Sequence, residues 1–283
     1  MESFDVARAI SAAISVASAH GLIADEAVVL HNSNKLTLRL QPCAVVARAT
    51  RARDNSAGLE LERVQRLAEA GCPVGAVEPR VRPLVYRLDD FAVTLWVYYE
   101  SGTAALPAAD YADGLARLHA GMRQVDIATP RFTDRIAQAE KIVAEPESSP
   151  ALAAQDRELL VRRLADLRQA IDDHNASEQL LHGEPHPGNV LATSGGPVFI
   201  DFETLCRGPV EFDLAHVPQA ACDQYPNVDT ELLDDCRHLV LAMVAAWRWD
   251  VEDEFPDGIR WGHRLLRALR DGPPWPTLDV MTI

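Results

Sequence analysis

The chain has 283 residues, 48% hydrophobic and 24% charged, with a formal net charge of -15. That length allows one large domain or two modest lobes with separate cores, and the composition excludes a disordered, collagen-like or low-complexity chain. The charge is uneven: residues 1–100 hold 11 Lys+Arg against 12 Asp+Glu, and residues 101–283 hold 16 against 30. Such a field disfavours nucleic acid and anionic membranes as partners and attracts cations. Cys43, Cys72, Cys206, Cys222 and Cys236 include no Cys-x-x-Cys pair, so a disulfide framework or zinc ribbon is not expected. A reducing cytoplasm fits this cysteine usage.

In chain order, Phe4, Ala7, Ile10, Ile14 and Ala17 recur at helical spacing, which predicts an amphipathic helix and not a signal peptide. Residues 27–30 and 36–40 read as strands around a polar hairpin loop, His31 to Lys35. Residues 44–49 give a third strand carrying Arg48. A helix follows with Leu59, Val64 and Leu67 along one face, stopped by Gly71-Cys72-Pro73. Residues 85–88 and 92–98 form a second hairpin around Asp89-Asp90. The pattern then turns mainly helical from Ala108, most clearly over residues 151–174, where Leu152, Leu159, Leu160, Leu164, Leu167 and Ile171 make one stripe. One β-hairpin interrupts the helices, residues 190–192 and 198–200 around Ser194-Gly195-Gly196. Helices resume near Phe212 and over residues 231–249. No apolar run is long enough to span a bilayer. The reading is α+β, with a β-rich unit over residues 1–99 and a mainly helical unit over 100–283.

The chemistry concentrates in LLHGEPHPGNVLATSGGPVFIDFE, residues 180–203. His182 and His186 have the spacing of a zinc-protease pair, but Pro185 and Pro187 forbid the helix that pair needs. His182-Gly183-Glu184 fits the first element of a zinc deaminase, but no downstream Pro-Cys-x-x-Cys follows. Phosphoryl transfer fits better. It needs a carboxylate beside the acceptor hydroxyl and oxygen ligands for magnesium. Glu184 supplies the first; Asn189 and Asp201, at the two ends of the hairpin, supply the second.

This run resembles the catalytic loop and metal-binding Asp of the aminoglycoside phosphotransferase family, a protein-kinase-like family of antibiotic kinases. The segment GPVEFDLAHV, residues 208–217, is similar to the family's next segment. The resemblance implies a two-lobed kinase-like fold, with a small β-rich nucleotide-binding lobe, a larger helical lobe and an active site in the cleft between them. It implies transfer of the γ-phosphate of ATP or GTP, with Mg2+, to a hydroxyl of a cationic small-molecule antibiotic. An aminoglycoside or a cyclic peptide of the capreomycin and viomycin type is the expected acceptor. A metabolic amine or sugar such as choline is the alternative acceptor, and a degenerate kinase that only sequesters its ligand is the alternative function. A cytoplasmic monomer or weak dimer is expected.

Carried over by position, Asn189 and Asp201 match the family's metal ligands. Glu184 stands where the family has its catalytic Asp, a departure that lengthens the side chain by one methylene. His186 is structural or an assisting base, and His182 fixes the loop. Arg48 stands for the phosphate-binding Lys of the third strand, with Glu60 as its partner and Glu62 on a different face. Ser33 and Asn34 lie in the phosphate-covering hairpin, although no glycine-rich motif occurs there. Trp96, Val97 and Tyr98 lie on the strand and hinge that meet the base. Glu203, Glu211, Asp213 and Asp223 are candidate acceptor contacts. Among them Asp213 matches the family's loop-tethering Asp.

Overall fold

The computed structural model describes residues 3–32, 35–53, 55–100 and 105–276. The chain divides into two compact units: residues 1–105 with 191–203, and residues 106–190 with 204–283. In order the elements are α1 (Ser3–Ala19), β1 (Ala24–Asn32), β2 (Leu36–Pro42), β3 (Val45–Arg51), α2 (Ser56–Glu69), β4 (Tyr86–Leu88) and β5 (Phe91–Val97). Then come α3 (Ala108–Met122), α4 (Phe132–Ala144), α5 (Ala154–Asp173), β6 (Gln179–Leu181), β7 (Val190–Thr193), β8 (Gly196–Phe199) and β9 (Cys206–Gly208). The chain continues through α6 (Val210–Leu214), α7 (Gln219–Cys222), α8 (Thr230–Trp247) and α9 (Gly258–Asp271).

In the first unit the described residues form a five-stranded antiparallel sheet of order β1-β2-β3-β5-β4. Strict alternation builds it: Leu36, Leu38 and Leu40 of β2 are buried, and so are Val45, Ala47 and Ala49 of β3. These side chains form one core with Ala9, Ala13 and Val16 of α1, which covers that face. Side chains of opposite parity must leave by the other face. Thr37 pairs with Arg48 and Arg48 with Thr94, so Arg48 lies on this second face, with α2 against β5.

Two expectations need correcting here. His31 and Asn32 are not hairpin loop; β1 runs through Asn32. Leu59 is not on the inner face of α2. It is 47% exposed, and Ala57, Glu60, Leu61, Val64 and Leu67 face inward. The inner stripe therefore contains a carboxylate, which hydrophobic periodicity cannot reveal.

The segment 191–203 joins this unit through its backbone. Phe199 N–H donates to Pro73 O at 2.8 Å and Gly75 N–H to Phe199 O at 2.9 Å. The β7–β8 turn is closed by Thr193, whose hydroxyl donates to Gly196 O at 2.7 Å and accepts from Gly195 N–H.

The second unit is a helical core of α4, α5, α8 and α9, with Leu160, Leu164, Leu167, Leu239, Val240, Leu265 and Leu266 at its centre. The short β6–β9 pair joins Leu181 to Cys206. No helix among the described residues is long and apolar enough to cross a membrane.

Candidate active site

In the second unit, the loop after β6 is built around Asp213. This side chain is fully buried in α6 and accepts from His182 N–H at 2.9 Å and Gly183 N–H at 2.8 Å. The buried His119 of α3 adds a third partner, with Nε2 at 2.9 Å from Asp213 Oδ2, while its Nδ1 meets the Tyr225 hydroxyl at 2.8 Å. Burial opposes the charge on Asp213, but the hydrogen bond and charge of His119 outweigh it and hold the carboxyl below its ordinary range. Tyr111 donates its hydroxyl to Pro185 O, and the Thr204 hydroxyl donates to His182 O at 3.1 Å. Gly183 has φ +93°, and a Cβ there would run into Thr204 O, so the loop requires glycine at this point.

Glu184 meets a residue that the sequence did not single out. Arg135 of α4 donates to the Glu184 carboxylate and, at 2.9 Å, to Gly183 O. Burial pushes the Glu184 carboxyl up, but the Arg135 guanidinium prevails and holds it below the usual carboxylate value. Glu184 is therefore anionic near neutrality. Burial also depresses the neighbouring His216, to about 4, so that it is neutral.

His186 is woven into the loop. Its Nδ1 accepts from Gly188 N–H at 3.0 Å, and its Nε2 lies 3.2 Å from Asn189 Nδ2. Asn189 Nδ2 also donates to Glu184 O at 3.0 Å. With the amide nitrogen held this way, the amide oxygen is turned to the opposite side.

In the first unit, charges meet on the second face of the sheet. Arg48 pairs with Glu60, and its guanidinium lies 5.3 Å from the Trp96 ring centroid. Glu62 is exposed on the outer side of α2. Lys35, just ahead of β2, is only 5% exposed. Its Nζ lies 2.9 Å from Asp201 Oδ1, 3.0 Å from Glu203 Oε1 and 3.6 Å from Glu60 Oε2. Burial works against the Lys35 charge, but Glu60, Asp201 and Glu203 outweigh it and raise its pKa. The same crowding raises the carboxyl of Glu203, through burial first and the neighbouring Asp201 charge among the other causes. Asp201 has φ +69°, a left-handed conformation uncommon for a residue with a Cβ. Arg63 of α2 fixes the following turn by donating to Phe202 O and Glu203 O, both at 2.9 Å.

The remaining expected contacts fall less simply. Ser33 and Asn34 lie outside the described residues. Trp96 is buried and spends its indole N–H on Thr94 Oγ1 at 2.8 Å, which makes it core. Val97 N–H is committed to Ala76 O at 2.9 Å, and the Tyr98 ring lies under the Arg39 guanidinium at 4.1 Å. Asp213, with both oxygens engaged and no exposure, is closed to an acceptor molecule. Glu211 is nearly buried and accepts from Asp229 N–H at 3.1 Å. Asp223 is exposed.

Lys35 and Arg135 were therefore the residues that sequence reasoning missed. A signal for Lys35 did exist: of the 27 Lys+Arg residues only Lys35 and Lys141 are lysine. It also precedes the buried Leu36 by one position, so alternation sends it to the face of Arg48. For Arg135 no local signal existed, because it lies 49 residues before Glu184.

Residues 29–247 match the family model APH, described as the phosphotransferase enzyme family. The chain belongs to that family. It is an enzyme, a phosphotransferase, with the α+β, two-lobed fold of protein-kinase-like proteins. Among solved structures it is similar to the amicoumacin kinase hAmiN in complex with AMP-PNP, Ca2+ and Ami. That similarity has a TM-score of 0.70 and 13% identity over 99% of this chain and 100% of that one. A choline/ethanolamine kinase family protein from Mesorhizobium loti gives 0.65 and 16%, over 95% and 96%. The GDP and kanamycin complex of APH(2")-IIIa gives 0.64 and 15%, over 92% and 97%. No protein in the curated set matches the chain.

Proposed function

We propose that this phosphotransferase moves the γ-phosphoryl group of ATP or GTP, with Mg2+, to a hydroxyl of a cationic small molecule, and that this molecule is an antibiotic. The observation that carries the reading is the convergence of Lys35 and Arg48 with Glu60, Asp201 and Glu203 on one sheet face. Two buried cations among carboxylates are what a phosphate chain and a divalent ion need together. Among the described residues Arg48 Nε is buried without a hydrogen-bond partner, a spare donor of the kind an anionic ligand satisfies.

The donor set suits magnesium. Asp201 would hold the ion through its carboxylate and Asn189 through its amide oxygen, both hard oxygen ligands. Among the described residues no three His, Cys, Asp or Glu side chains are grouped as a metal site. Magnesium takes its other ligands from phosphates and water, so few protein ligands suffice. When bound, the ion neutralises charge on the transferring phosphoryl group.

Glu184 orients the acceptor hydroxyl. Arg135 keeps its carboxylate charged and fixed, which makes it a weak base but a constant hydrogen-bond acceptor. Phosphoryl transfer tolerates a weak base, because its transition state is loose and positioning supplies most of the rate. His186, with Nδ1 and Nε2 facing loop groups, shapes the loop, and Asp213 and Glu211 are tethers rather than acceptor contacts. With Val97 N–H spent, backbone groups from Tyr98 onward meet the base. Acceptor contacts come from the helical part, whose excess of acidic residues suits a cation, as does exposed Asp223.

Similarity to both an amicoumacin kinase and a choline/ethanolamine kinase family protein keeps a metabolic amine as the second acceptor class. The test is a panel of cationic antibiotics and amino alcohols incubated with enzyme, Mg2+ and ATP or GTP, and read by mass spectrometry. One compound should gain a single phosphoryl mass. Binding of a compound with no mass gain under any nucleotide would sink the reading in favour of sequestration.

A further inference from the structure

Of the two buried cations on this sheet face, Lys35 is the one that sits on the proposed metal carboxylate. Its ammonium, nearly shut off from solvent, lies at hydrogen-bond distance from the carboxylates of both Asp201 and Glu203. Arg48 does not share this position, because it is tied to Glu60 and held over Trp96. The two cations therefore differ in kind: one is fixed, and the other is a flexible point charge on a four-carbon stem.

We propose that Lys35 is an internal counter-ion that couples metal binding to nucleotide binding: its ammonium occupies the Asp201 carboxylate until phosphates arrive to receive it. A divalent ion and an ammonium cannot share the same carboxylate face without strong repulsion. While Lys35 stays on Asp201, the free enzyme is a poor metal binder. A nucleotide brings anionic oxygens that offer Lys35 a new partner, so the carboxylate is released as the metal enters with the phosphates. Lys35 is then also the phosphate-gripping lysine, supplied from the edge of β2 rather than from β3, where Arg48 stands. Arginine at position 35 would do this less well, since its planar fork would lock onto the two carboxylates. That accounts for lysine at this position in a chain that otherwise uses arginine almost throughout.

The inference rests on the proposed nucleotide and metal site, and the test separates the two. Mn2+ binding is measured by electron paramagnetic resonance, first alone and then with AMP-PNP, for the full chain and for Lys35→Met and Lys35→Gln. The unaltered enzyme should bind Mn2+ at least about tenfold more tightly with nucleotide than without. Both variants should bind Mn2+ alone about tenfold more tightly than the unaltered enzyme, bind AMP-PNP more weakly, and lose most of the coupling. Lys35→Gln keeps a hydrogen-bond donor among the carboxylates, so it reports even if Lys35→Met fails to fold. Unchanged or weaker Mn2+ binding in a folded Lys35→Gln overturns the inference and leaves the site reading intact. Absence of Mn2+ binding to the unaltered enzyme even with nucleotide overturns both.

Discussion

The candidate residues of the two units are held in opposite ways. In the second unit the loop from His182 to Asn189 is fastened by backbone groups: His182 and Gly183 N–H to Asp213, Pro185 O to Tyr111, Gly183 O to Arg135. In the first unit the contacts of Lys35, Arg48, Glu60, Asp201 and Glu203 are side chain to side chain and charge to charge. A backbone fastening cannot be exchanged without unfolding the loop. A charge-to-charge contact can be traded for another of the same sign. On the proposed function, the first set exchanges its partners for ligands and the second keeps one geometry, so substitutions should separate stability from activity.

The largest expected loss of stability is at Asp213. Asp213→Ala leaves buried His182 and Gly183 donors unpaired and should cost about 3–5 kcal/mol in urea denaturation. Gly183→Ala should cost roughly 2–4 kcal/mol, from backbone strain and the clash with Thr204 O. A change below about 1 kcal/mol in both would remove the distinction between the halves.

Asp201→Ala tests the other half. Transfer should fall by about three orders of magnitude or more, which corresponds to roughly 4 kcal/mol of lost transition-state stabilisation. Stability should stay within about 1–2 kcal/mol, because Lys35 keeps Glu203 and Glu60 as partners. Comparable losses of stability at Asp201 and Asp213 would mean that both halves are merely structural.

These contrasts also mark what was legible in the sequence. Order and spacing within residues 180–203 put Glu184, Asn189 and Asp201 on one hairpin with its preceding loop, and period-two alternation exposed the sheet. The three-residue strands β6 and β9 were not visible, because three residues carry no period. The helix α9 was missed among arginines, with Leu265, Leu266 and Leu269 as its few buried apolar side chains. Hydrophobic periodicity alone puts Leu59 inward, where the structure has Glu60. Pairing with Arg48 and Lys35, both from earlier in the chain, makes burial of the Glu60 charge tolerable. Arg135 and Lys35 are partners across 49 and 166 residues, and such distances lie outside any local pattern.

A smaller effect is expected at Arg135, where the two kinds of holding meet. Arg135→Met removes the guanidinium but not the burial of Glu184, so the carboxyl pKa should rise above its ordinary range. The acid limb of the rate profile should move to higher pH, and kcat should fall about ten- to a hundredfold with little change in KM. A merely structural Arg135 would lower kcat or stability and leave the acid limb in place. Lysine at 135 should restore part of the shift, because it retains the charge without the double contact to Gly183 and Glu184.

The smallest effect is the pH dependence of stability, and it also divides the halves. His216, in the second unit, is held neutral by burial, with its pKa lowered from 6.5 to about 4. The unfolded chain takes up a proton near pH 6.5 and the folded chain does not, so unfolding gains from acid throughout that interval. The stabilisation is complete above about 6.5 and is lost progressively toward 4. His238 of α8, lowered to about 4 by its partial burial, has the same sign. Lys35 gives no slope there: its pKa is raised above 10.5, and its contribution is lost only in strong alkali. Melting temperature measured from pH 7 to pH 5 should thus fall by a few degrees, and His216→Gln with His238→Gln should flatten the fall. An unchanged slope in that double variant would show that neither ring is kept neutral by the fold.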